Sequence, residues 1–434
     1  MKDKLMGGFL AVAEVLQTNR YMVAIKNSFT ALLPIIIAGA FAVLIANVVT
    51  TPSANGISLA NFAALAWLSK LTPIFTAANY ATLNFFAIGI VFLIAMELGK
   101  QYNHDELILP VVALASYITL CATSVTGNLN GETFTVSNVL ARQFTNAQGL
   151  FMGMITAIVA TELYCKVVDS GKLAIKMPET VPSNVAKAFN VLIPSILTIV
   201  LISTFGFVFQ MIFGYSFYDA IAKWIQAPLA GILTGLPGYL FIIFCTTLLW
   251  IMGIHGTQTL KPIYEPIMIL ALTENLDLVN EGKQAVHILN QAFISCFSTV
   301  TGAGITGGLI IAILLFSKRD DFKAIAKLSI APGIFNINET MTFGLPIVLN
   351  PILAVPFVLS PIVSATIGYY ATVIGFAAPM WVSIPWTTPP ILAGFLASGG
   401  HVGTAITQLI AILATSLVYI PFVLISNKQV APVE

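Results

Sequence analysis

Between Thr340 and Asn427 the chain runs for 88 residues without one Asp, Glu, Lys or Arg. A water-soluble domain cannot be built on such a run, because soluble folds carry roughly 25% charged residues. The chain as a whole shares the bias: of its 434 residues 58% are hydrophobic and 9% charged. An integral membrane protein follows. The apolar runs are long and lack a period of two, which argues against an outer-membrane barrel and for an all-α polytopic bundle. A formal net charge of +1 offers no field to attract nucleic acid. Cys121, Cys165, Cys245 and Cys296 lie far apart in apolar runs, with no metal or redox spacing, and read as small hydrophobes between helices.

A crossing needs about 20 mostly apolar residues. Such spans are expected at 28–50, 80–99, 107–125, 149–165, 188–213, 236–254, 292–316, 344–366 and 404–426, with a shorter one at 367–379. Residues 1–20 lack a signal-peptide pattern and suit an amphipathic helix in the cytoplasmic interface. Lys2, Lys4, Arg20 and Lys26 place the N-terminus in the cytoplasm. Lys166, Lys172, Lys176 and Lys187 place the loop after the fourth span on the same side, and the polar loop 126–148 belongs outside.

Simple counting then fails. The basic stretch 317–327 should be cytoplasmic, yet the spans put it outside unless 255–291 makes an extra excursion. Its apolar part, 262–273, is too short for an ordinary span, so a re-entrant hairpin or a broken helix is expected. A second irregular stretch is 378–400, where Pro379, Pro385, Pro389 and Pro390 preclude a regular helix. A third is the octapeptide GIFNINET, 333–340. These breaks divide the chain into a regular scaffold, 1–215, and a substrate-handling part, 216–434.

Glu339 is the leading candidate for chemistry, since a carboxylate at membrane depth usually faces a cavity with a purpose. The competing reading leaves it solvated at the cytoplasmic interface. Asn336 and Asn338 join it in a dense hydrogen-bonding patch, and an extended backbone would put 336, 338 and 340 on one face for binding hydroxyls. His255 sits between Gly253 and Gly256 at the end of an apolar span, where glycine lets a helix unwind. Its ring can donate and accept one hydrogen bond each, and relay a proton; the alternative is a packing histidine. Trp250, Trp381 and Trp386 are either interfacial belt residues or flat surfaces for a sugar ring. Gly256 and Thr257 beside His255, and Thr387 beside Trp386, complete the expected binding set. Glu97 and Glu162 read as lone interfacial carboxylates. No phosphate loop, HExxH or catalytic-triad pattern is present, and no cofactor or metal is expected.

PGIFNINETMTFGLPIVLNPILAVPF (332–357), FVLSPIVSATIGY, IPWTTPPILAGFLASGG and the MGIHG around His255 resemble the membrane enzyme IIC of the bacterial phosphoenolpyruvate-dependent sugar phosphotransferase system. The resemblance covers essentially the whole chain and is to the lactose/cellobiose/N,N′-diacetylchitobiose branch, nearest its diacetylchitobiose and cellobiose members. The family commonly has proline after the glutamate; here Thr340 stands there. The resemblance implies a homodimer in the bacterial inner membrane, dimerised through the first half, with two re-entrant hairpins in the second and about ten transmembrane helices in all. It implies that Glu339 and His255 meet the hydroxyl of a β-linked disaccharide that is to be phosphorylated, with Asn338 and its neighbours holding the ring. The phosphoryl donor would be a phosphocysteine on a separate enzyme IIB, fed by IIA, HPr and enzyme I. An ion-coupled secondary sugar transporter, without phosphorylation, is the other transport reading, and a receptor that binds without transport is a third.

Overall fold

The structure is a computed structural model that describes residues 14–428 except 16, 53–57, 105, 130–131, 176–177, 179–180, 346 and 348–349. Most of the expected N-terminal interfacial helix, with Lys2 and Lys4, lies outside these, as does Lys176. Among the described residues seven helices are long and apolar enough to cross a membrane: Leu33–Thr50, Ala63–Gln101, Ala147–Asp169, Ala188–Phe213, Gln291–Phe316, Ile352–Val373 and Val402–Ser426. The pair Phe217–Leu233 and Leu236–Ile251, bent by 79°, makes an eighth if taken as one broken span. The fold is therefore the helical membrane bundle that composition demands. Two compact units make it up: the described residues up to Ile36 with Tyr80–Leu229, and Ile37–Asn79 with those from Ala230 onward.

In the first unit, small residues let helices approach closely, which replaces the hydrophobic effect as the driving force in lipid. A Cβ on Gly153 would lie 2.9 Å from Val91, and one on Gly99 2.6 Å from the His104 carbonyl oxygen. The span expected at 107–125 is only the 12-residue helix Ile108–Thr119. The chain then turns into an exposed antiparallel hairpin, Ser124–Leu129 with Glu132–Ser137, whose alternating Thr and Val residues favour strand over helix. Glu97 and Glu162 are not lone carboxylates. Glu97 pairs with Lys100 at 2.7 Å and accepts from Asn27 at 3.1 Å. Glu162 accepts from the hydroxyls of Tyr21 and Tyr102 and lies 3.8 Å from Lys166.

In the second unit three expected elements take a different form. The excursion at 255–291 begins with one continuous helix of 25 residues, Gly256–Asn280, which carries Pro262 and Pro266 inside it. Neighbouring helices satisfy the backbone groups that such prolines free. The two spans expected at 344–366 and 367–379 are a single helix, Pro351–Val373. The span expected to be regular at 292–316 is broken in its middle, where Thr301, Gly302, Gly304 and Ile305 all have positive φ. The stretch 378–400 is irregular as expected, with only Leu392–Ala397 helical. Trp250, Leu309, Ile313, Phe322, Met341, Phe357, Tyr419 and Val423 form one buried cluster that fixes these pieces together.

Candidate functional site

The octapeptide is not extended. Helix Asp320–Ile334 ends when the Phe335 and Ile337 amides turn back to the Pro332 carbonyl, and Asn336 adopts φ 63°. Asparagine enters this left-handed region more readily than most residues. A new helix, Glu339–Gly344, begins at Glu339 itself. Residues 336, 338 and 340 therefore share no face.

The two asparagines brace the chain breaks around them. Asn336 accepts from the Thr301 amide at 2.6 Å and donates to the carbonyls of Trp386 at 2.6 Å and Thr388 at 3.1 Å. Asn338 is buried and donates to the Ala303 carbonyl at 2.7 Å. Gly302 makes this possible: with φ 95°, a Cβ there would fall 2.4 Å from Asn338 Cγ. So the amides tie 336–338 to the broken span at 301–303 and to the turn at 385–388. The Glu339 side chain, which follows them, stays exposed.

His255 caps a helix start. It is the N-cap of Gly256–Asn280, and its Nδ1 accepts the Gln258 amide at 3.3 Å. In the neutral ring this leaves the proton on Nε2, free to donate. Burial holds the imidazole below its ordinary pKa; the Glu339 carboxylate pulls it back up and the Lys261 ammonium pushes it down. His255 and Glu339 are thus electrostatic neighbours although 84 residues apart in sequence. Trp250 covers the ring with centroids 4.2 Å apart, and its indole N–H donates to Thr257 Oγ1 at 3.2 Å. Gly256 is dictated by space, since a Cβ would sit 1.8 Å from the Thr246 carbonyl oxygen.

The expected tryptophans have three different settings. Trp250 is buried beneath His255. Trp386 is 45% exposed, with its backbone carbonyl held by Asn336 and Thr387 half-buried beside it. Trp381 packs on Gly399, where an added Cβ would come within 2.3 Å of its ring. The supporting residues were not evident from sequence. Gln408, fully buried, accepts from the Ile391 and Gly394 amides and donates to the Cys296 carbonyl at 2.9 Å. Tyr419 donates to the Gly304 carbonyl at 2.6 Å. The glycines of 302–308 were the available signal for this break, concealed by the apolar residues around them.

The phosphotransferase system EIIC family model matches residues 26–361. The chain belongs to this EIIC family. It is 33% identical to the oligo-beta-mannoside-specific EIIC component of Bacillus subtilis (strain 168) over 99% of this chain and 94% of that protein. Identity is 31% to the cellobiose-specific EIIC component of Geobacillus stearothermophilus, over 100% and 95% of the two. The crystal structure of the transporter ChbC, the IIC component from the N,N′-diacetylchitobiose-specific phosphotransferase system, superposes with a TM-score of 0.90 at 31% identity, covering 97% of this chain and 96% of that one. EIIC membership decides between the two transport readings in favour of the phosphotransferase system. A carboxylate that acts on a neutral imidazole, and an exposed indole whose backbone carbonyl Asn336 holds, are groups of the kind that bind a neutral polyol.

Proposed function

We propose that this EIIC chain takes up a β-linked disaccharide of the cellobiose or diacetylchitobiose type and presents one of its hydroxyls for phosphorylation. The observation that carries the reading is the electrostatic influence of Glu339 on His255, with Asn336 and Asn338 just before that glutamate joining three chain breaks and holding the carbonyl of the exposed Trp386. Glu339 accepts the hydroxyl proton while His255 Nε2–H orients the same oxygen. Trp386 gives the sugar ring a stacking face, and Thr257, Thr387 and the remaining capacity of Asn338 supply further polar contacts. Asn336, Gly256, Trp250 and Trp381 shape the site from behind.

The phosphoryl group comes from a phosphocysteine on a separate IIB chain, since Cys121, Cys165, Cys245 and Cys296 are all buried within this one. IIA, HPr and enzyme I supply IIB in turn. The chain works as a homodimer in the bacterial inner membrane with both termini cytoplasmic, 1–215 serving as scaffold and 216–434 carrying the sugar. Equilibrium binding of cellobiose, diacetylchitobiose and lactose to the purified protein tests the substrate class. At least one of the first two should bind and lose affinity in Trp386→Ala; absence of binding for both refutes it.

A further inference from the structure

Two side-chain amides join the broken span to the proline-rich stretch. Asn336 ties the Thr301 amide to the carbonyls of Trp386 and Thr388. Gln408, fully buried on helix Val402–Ser426, makes the second tie. Its Nε2 donates to the Cys296 carbonyl at 2.9 Å, and its Oε1 accepts the Ile391 amide at 2.6 Å and the Gly394 amide at 3.0 Å. The turn that carries Trp386 and Thr387 is thus held at both ends against one span, by Asn336 at Thr301 and by Gln408 at Cys296. One tie would fix its position and let it pivot; two fix its rotation as well.

What lies between the ties is stiff and strained. Pro389 and Pro390 have their φ fixed by the ring, and a residue before proline is restricted too, so an orientation set at Ile391 carries back to Thr388. Ile391 itself has φ 70° and ψ −52°, a strained γ-turn geometry that a β-branched residue seldom adopts. It stands at the N-cap of Leu392–Ala397, and its apolar side chain caps nothing. Gln408 caps those amides from another helix. Gly394 leaves the room for it, since a Cβ there would lie 3.0 Å from Gln408 Oε1. Strained backbone persists only where its surroundings hold it, and it gathers at ligand clamps.

We infer that Gln408 is a positioning residue for sugar binding: it locks Ile391 against Cys296 and thereby sets the rotation at which the 385–388 turn presents Trp386 and Thr387. The inference rests on the proposed function, which makes that turn a sugar-binding face. Gln408 acts through the turn and leaves Glu339 and His255 alone. Asn336 differs in this respect, because it lies three residues before Glu339 and its loss disturbs both sides of the site.

The test uses the full chain in detergent with fluorinated tryptophans, each indole being read by fluorine magnetic resonance and assigned through Trp386→Phe, Trp250→Phe and Trp67→Phe. In the parent, Trp386 should give one resonance. Gln408→Met should broaden or split it and leave those of Trp250 and Trp67 in place. Gln408→Asn, one methylene too short to span both segments, should do the same and serves if the methionine variant does not fold. An unaltered Trp386 resonance, or an equal disturbance of all three indoles, would overturn the inference. Disaccharide binding gives a second readout. Trp386→Ala and Gln408→Met should each weaken it about tenfold, and the double variant no further than the weaker-binding single one, since both remove the same stacking face. Losses that multiply in the double variant would contradict the inference. A parent that binds neither cellobiose nor diacetylchitobiose refutes the proposed function, and the fluorine spectra then still decide whether Gln408 holds the turn.

Discussion

In the proposed reaction the sugar hydroxyl is a poor nucleophile, and Glu339 is the group that accepts its proton. Glu339→Gln keeps the shape and removes the basicity, so phosphorylation should fall by roughly 10²-fold or more. Sugar binding should weaken less, by about 1–3 kcal/mol for one hydrogen bond to a charged partner; isothermal binding beside a product assay separates the two. His255 makes the site pH-dependent. Burial depresses its pKa from the ordinary 6.5, so the ring is neutral at pH 7 and its contribution to stability is complete above the unfolded value. As pH falls through the depressed value the ring charges, Nδ1 can no longer accept the Gln258 amide, and Glu339 is drawn into an ion pair. Turnover should therefore hold steady down to about pH 6.5 and decline below it, and a pH profile of His255→Gln should lose that decline along with most activity. Trp386→Ala should weaken sugar binding by about 1–3 kcal/mol if stacking operates as it does for nucleobases. Trp67, 56% exposed in a 3-10 segment, should tolerate the same change without loss of affinity.

At the scale of elements, the site depends on how the breaks are joined. Asn336→Ala removes the partner of the part-buried Thr301 amide and Thr388 carbonyl, at up to about 1–3 kcal/mol each, and of the Trp386 carbonyl, which water can reach and which costs less. Thermal unfolding should register that loss, and sugar affinity should fall with it because the Trp386 turn is released. The long spans were legible in the sequence, since a run such as 404–426 can do little else than cross a membrane as a helix. Helix Gly256–Asn280 was not, because Pro262, Pro266, Lys261 and Glu265 interrupt its apolar run, and it took the discrepancy in basic loops to show that something lay there. The break at 299–305 was hidden for the opposite reason: its glycines sit among apolar residues that read as a continuous span. Glu339 and His255 were legible as isolated polar residues in apolar surroundings. The bracing role of Asn336 and Asn338 was not, because their partners lie 35 to 52 residues away in sequence.

For the whole molecule, the distribution of Lys and Arg fixes a proposed orientation that labelling can check. The four native cysteines are buried, so background should be low. A cysteine at Thr133, in the exposed hairpin, should react with an impermeant reagent on intact cells, and one at Lys327 only after permeabilisation. The reverse pattern would invert the topology and put the donor on the wrong face. The central claim, that this EIIC chain couples passage of a sugar to its phosphorylation at Glu339, has a direct measurement. Membrane vesicles carry the full chain with its cytoplasmic face inward, labelled disaccharide is added outside, and IIB is enclosed in phosphorylated or unphosphorylated form. Phosphorylated disaccharide should accumulate inside only with phosphorylated IIB and an intact Glu339. Phosphorylated sugar appearing without phosphorylated IIB, or at the parent's rate in Glu339→Gln, would contradict that claim.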